Sequence, residues 1–195
     1  MSVTTVVSSK TVQQLKQIAK QYKRRLSITH TEALELAAQK AGFANWHQAT
    51  QANVLLQPAE KALKSGAIIG MDMKDGMDYF DSVTEDGTFI YDEFLPMVCA
   101  QSFRKMMWLG PDPDDELGRL PSETMTEDEF EEWFHTNLHD NMYFRLSEEV
   151  CVDSLDQVLK LLDARSFWPA FYVWFQGKLY EFEKGYEDPL PVFGS

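Results

Sequence analysis

Four kinds of side chain in this 195-residue sequence have types or spacings that suit chemistry: histidines, cysteines, clustered acids and a line of bases. His135 and His139 stand four residues apart, which puts two imidazoles on one helical face, with Glu131 one turn earlier. That spacing can hold zinc. No glutamate follows the first histidine as it does in a metalloprotease helix, and no third ligand is identifiable. At about 100° per residue both imidazoles fall opposite Phe130 and Phe134, toward solvent. We therefore expect no metal and no cofactor, with His135 and His139 as the nearest approach to metal ligands. His30 falls at a helix start and His47 on a later helix. Cys99 and Cys151 sit in apolar stretches without CxxC or CxxH spacing, as free core thiols of a reducing cytosol would. There is no G-x-S-x-G elbow, Walker loop or G-x-G-x-x-G fingerprint, so any catalysis would rest on residues without a signature.

Charge says more. The chain carries a net −13, unevenly distributed. Residues 1–52 hold Lys10, Lys16, Lys20, Lys23, Arg24, Arg25 and Lys40 against Glu32 and Glu35, a net of +5. Residues 53–195 hold 11 basic and 29 acidic residues, a net of −18. Such asymmetry suggests a separate task for each part. Asp112 to Glu132 has acids at about half of its positions against one arginine. Glu127, Asp128, Glu131 and Glu132 are the expected contacts for a basic protein, or a surface that imitates the charge of nucleic acid. Asp112, Asp114 and Glu116 resemble a calcium loop only superficially, because the sixth position holds Leu117 where an EF-hand needs glycine.

The elements that must position these groups follow from pattern. Val12, Leu15, Ala19, Tyr22 and Leu26 form one apolar stripe, predicting a helix over 11–26 with its lysines on another face. Thr29 and Glu32 have capping-box spacing before Ala33, Leu34, Ala37, Ala38 and Ala41, and Gly42 stands where a left-handed residue ends a helix. Asn45 then caps a third helix, and PAEKALKS (58–65) reads as a separate helical connector. The expected division is a basic helical module, 1–57, and an acidic body, 58–195. In the body, Ala67–Met73 is a strand or an irregular helix, while Asp75-Gly76 and Asp86-Gly87 are turn signals. A buried helix begins near Pro96, residues 110–122 are a loop, and Thr126 caps a helix with Phe130, Trp133, Phe134 and Leu138 inward. Residues 142–146 can be a strand, and Ser154 caps another helix. Gly177 turns a hairpin and the tail is extended. The fold class is α+β: a trihelical, helix-turn-helix-like module followed by mixed helices and antiparallel strands.

The run TVQQLKQIAK followed by THTEALELAAQKAGFANWHQA, residues 10–52, resembles the small N-terminal helical module of bacterial proteins called glyoxalase-related. The resemblance implies a module that travels often on plasmids and other mobile elements, and it implies no chemistry. On a helix-turn-helix reading, Lys16, Lys20, Lys23, Arg24 and Arg25 contact phosphates while His47, Gln48 and Gln51 face base edges. Against this, the expected recognition helix carries no Lys or Arg, and the acidic body repels DNA.

The leading expectation is a cytoplasmic, non-enzymatic bacterial accessory protein that binds another protein through its acidic body, as an antitoxin or inhibitor does. The alternative is a small DNA-binding regulator using residues 1–57. A third is an enzyme of glyoxalase-like type without recognisable metal ligands. No run of apolar residues is long enough to span a membrane, and the first nine residues lack the pattern of a signal peptide.

Overall fold

The computed structural model describes residues 5–112, 115–166, 170–182 and 190–191. The chain divides into two compact units, residues 1–60 and 61–195. The architecture is α+β, with three N-terminal helices followed by an antiparallel sheet and its helices.

The first unit contains α1 (Ser9–Leu26), α2 (His30–Lys40) and most of α3 (Trp46–Ser65). Leu15, Ala38, Phe43, Ala49 and Ala52 form one buried cluster, and Ala19, Ala33 and Ala37 another. The small side chains let the three helices approach closely. Leu26, expected in the apolar stripe of α1, is instead exposed, because the helix ends there on a left-handed Ser27. The turn after α2 is a Schellman motif: the Phe43 N–H donates to the Ala38 carbonyl and the Gly42 N–H to Gln39, with Gly42 at φ +89°. Residues 58–65 are not a separate connector. Pro58 lies inside α3. Its missing N–H deprives only the Val54 carbonyl, and that residue faces solvent, which can supply the bond.

Among the described residues the second unit is built on six antiparallel strands in the order β2-β3-β1-β4-β5-β6. They are β1 (Ala67–Asp72), β2 (Phe89–Tyr91), β3 (Asn141–Leu146), β4 (Tyr172–Phe175), β5 (Lys178–Glu181) and β6 (Leu190–Pro191). The helices are α4 (Met73–Asp78), α5 (Phe80–Thr84), α6 (Leu95–Leu109), α7 (Pro121–Thr124), α8 (Glu127–His139) and α9 (Leu155–Asp163). Register assigns the faces. Ile69 pairs with Phe144 and Val173, and Met71 with Met142; these join Val83 of α5 and Val158, Leu159 and Leu162 of α9 in one core. The alternate residues Tyr143, Tyr172 and Trp174 face the other way. There Phe103 of α6 meets Tyr172 edge-on at 4.8 Å, Phe134 of α8 lies behind Phe103, and the Trp174 indole N–H donates to Ser102 Oγ at 2.7 Å. The sheet is thus covered on both faces.

Several local expectations change. Asp75-Gly76 is not a turn: Gly76 is buried inside α4, where a Cβ would stand 2.8 Å from Met142 Cβ. The glycine is there for close packing of helix on strand. Residues 110–122 are not wholly irregular, since α7 opens at Pro121. Cys99 is a buried thiol, its ionisation pushed well up by burial, but Cys151 is exposed and is no core residue. The hairpin at Gly177 has the two-residue form, Gln176 and Gly177 both at positive φ, whose twist matches that of the strands. Asp114 and most of the tail, expected to be extended, lie outside the described residues.

Candidate functional site

In the first unit, three carboxylates hold the starts of three helices. At α2, Glu32 accepts the Thr29 N–H and the Thr29 hydroxyl, both at 2.8 Å, and these two bonds lower the Glu32 pKa; Thr29 Oγ1 in turn accepts the Glu32 backbone N–H. At α3, Glu35 reaches across from α2 and accepts the Trp46 N–H at 2.9 Å. At α1, Glu60 accepts the Ser9 N–H at 2.8 Å and the Ser9 hydroxyl. Each negative charge sits against the positive end of a helix dipole. Asn53, buried two turns before Glu60 on α3, donates to the Val7 carbonyl and to Ser9 Oγ, and accepts from Gln57.

Glu32, Glu35 and Glu60 are the acids of residues 1–60, and each is engaged at a helix start. Lys10, Lys16, Lys20, Lys23, Arg24, Arg25 and Lys40 form no ion pair among the described residues. In the second unit Lys61, Arg104, Arg119, Arg145, Lys160 and Arg165 each pair with a carboxylate, while Lys64, Lys74, Lys105 and Lys178 form no ion pair among the described residues.

The expected phosphate contacts are not one set. Lys16, Lys20, Lys23 and Arg24 follow i, i+4, i+7, i+8 and share one flank of α1. Arg25 lies on the other side, its guanidinium 5.9 Å from the Tyr22 ring centroid. Lys40 of α2 reaches the same ring, also at 5.9 Å. Beside Tyr22 a depression of about 380 Å³ is lined by Gln21, Tyr22, Arg24 and Arg25. By pattern Tyr22 is only a stripe residue. Its place three residues before Arg25 is the signal in the sequence that could have marked it.

The expected base readers fare less well. The Gln48 side-chain oxygen is engaged at the start of α3, where it accepts the Ala44 N–H at 2.6 Å, while the Gln48 backbone N–H donates to Asn45 Oδ1 at 2.8 Å. His47 and Gln51 are exposed.

On α8, Thr126 and Glu129 form the expected capping box, and Glu129 is held below its usual pKa by the Thr126 bonds. Glu127, Asp128 and Glu132 are exposed and form no ion pair among the described residues. Glu131 differs: Arg104 of α6 donates to it through Nε at 2.9 Å and through a second nitrogen, while its guanidinium lies 5.1 Å over Phe130. An acid held in this way is part of the α6–α8 packing. His135 and His139 are exposed, with stacked rings 6.4 Å apart. Among the described residues no group of three or more His, Cys, Asp or Glu is placed to hold a metal ion. No described helix is long and apolar enough to cross a membrane.

A family model described as glyoxalase superfamily protein matches residues 4–72, which takes in α1 to α3 and β1. No curated protein and no solved structure is a match for the chain.

Proposed function

We propose that this chain is a non-enzymatic accessory protein whose N-terminal unit binds a polyanion, with the nucleic-acid backbone as the best-fitting partner. One observation carries the reading. All three acids of the unit are engaged at helix starts, and among the described residues none forms an ion pair with any of its seven bases. A merely solvated surface has no need of that separation. A phosphate backbone rewards it, because each neutralised phosphate releases a counterion. The commitment of Gln48 to a cap, and the lack of bases on the first turns of α3, favour backbone contact over base readout.

A second reading has its own support. Glu127, Asp128 and Glu132 present exposed acids on α8 that form no ion pair among the described residues, which suits capture of a basic protein in the manner of an antitoxin or inhibitor. One titration separates the two. Full-length protein is mixed with labelled random-sequence DNA and RNA at low and moderate salt. Salt-sensitive binding that disappears with Lys16, Lys20, Lys23 and Arg24 changed to glutamine supports the first reading. No binding at any salt sinks it and leaves the α8 surface as the one to pursue.

A further inference from the structure

Resting on that reading, we infer that the depression beside Tyr22 takes one nucleotide of a single strand, DNA or RNA, with the base on the tyrosine ring and the phosphates on Arg24, Arg25 and Lys40.

The geometry leads there in three steps. First, the flank bearing Lys16, Lys20, Lys23 and Arg24 is a line of charges, and a line of charges does not distinguish a duplex from a single strand. The depression does. It is open to solvent and offers about 380 Å³ beside the ring, room for one base that leaves its sugar and phosphates outside. One base enters such a space; a stacked base pair does not.

Second, its lining combines an aromatic face with cations, the pairing that single-strand grooves use. Tyr22 is half-buried and packs against the cluster of Ala19, Ala33 and Ala37, so the ring is fixed while one side stays accessible. A fixed ring stacks a base at little cost in conformational freedom.

Third, the cations are held loosely. Arg25 and Lys40 stand 5.9 Å from the ring centroid, close to the outer limit of a cation–π contact at about 6 Å. Both are long exposed side chains with no carboxylate partner among the described residues. An entering base exchanges two weak contacts for one stacked contact, and the displaced charges turn to the phosphates on either side. Gln21, which also lines the depression, offers an amide to a base edge.

The test measures anisotropy of labelled dT and rU oligonucleotides and of a duplex of equal length, using the full chain. Tyr22→Leu keeps the apolar packing but removes the aromatic face. It is expected to lower affinity for both single strands at least about fivefold, the order of one base stack, while duplex affinity stays unchanged. Tyr22→Phe is expected to bind as the parent does. An equal loss for strand and duplex, or no loss at all, overturns the inference while leaving the backbone reading intact; absence of salt-sensitive binding to any of the probes overturns that reading instead. Circular dichroism checks that Tyr22→Leu is folded. Should it not fold, photo-cross-linking of the parent protein to a 5-iodouridine strand decides: a cross-link at Tyr22 supports the site, and cross-links confined elsewhere overturn it.

Discussion

A side chain at Gly42 would meet nothing within 4 Å, yet the backbone there stands at φ +89°. At Gly76 the backbone is ordinary helix, but an added Cβ would press on Met142 Cβ at 2.8 Å and Sδ at 2.9 Å. The two substitutions to alanine should therefore fail for different reasons. Gly42→Ala is expected to cost about 1 kcal/mol of backbone strain, and asparagine should be better tolerated. Gly76→Ala should cost about 1–3 kcal/mol through overpacking, despite alanine's better helix propensity, and asparagine should be far worse. Urea unfolding of the four variants checks both. Asp86 supplies a pH test. Arg165 donates to its carboxylate, as does the Thr88 N–H, and the pKa falls to about 2. A lowered folded pKa stabilises above the ordinary carboxylate value of about 4, and that contribution disappears as pH falls toward about 2. The urea midpoint should decline across that window, and Arg165→Gln should flatten the part of the decline that Asp86 causes.

Elements were legible where the chain itself carries the start or stop signal. Thr29-x-x-Glu32, Thr126-x-x-Glu129, Ser154, Gly42 and the turn at Gly177 are local chemistry, and each acts in the structure as its spacing implies. Contact between distant residues leaves no such mark. Gly76 reads as a turn until β3 is laid against α4; Pro58 reads as a break until Val54 is seen to face solvent; Glu131 reads as a free acid until Arg104 arrives from α6. The caps from afar belong to the same class. Glu35 and Glu60 sit in mid-helix by sequence, with nothing to mark them as caps for α3 and α1. Glu35→Ala and Glu60→Ala should each destabilise the N-terminal unit by about 1 kcal/mol, seen as faster amide exchange in the first turns of α3 and α1 respectively. Glu127→Ala, a first-turn acid on α8 with no such bond, should have a smaller effect.

For the molecule as a whole, charge is sorted between two units. Residues 1–60 carry seven bases and three acids, and residues 61–195 carry 11 bases and 28 acids. Under the proposed function, the logarithm of the affinity for DNA falls linearly with the logarithm of salt concentration. Removing Lys16, Lys20, Lys23 and Arg24 should reduce that slope by about 0.7–0.9 for each phosphate no longer neutralised, whatever the sequence of the DNA. A slope unchanged in the fourfold variant would mean that this flank of α1 touches no phosphate.

The carboxylates at the three helix starts also bear on how this unit changes over generations. Glu32, Glu35 and Glu60 each complete a helix, so a lineage that loses one loses stability whatever the protein binds. Among the described residues Lys16 and Lys20 support no fold contact of that kind, and Lys23 and Arg24 add only the modest complement of a cation to the last turn of α1, so drift can erase them more readily once the partner is gone. Descendants of this module should thus keep the acids wherever the three helices persist and keep the bases only where the polyanion does. Two kinds of inheritance are written into one unit of sixty residues, and they can be told apart by the sign of the charge.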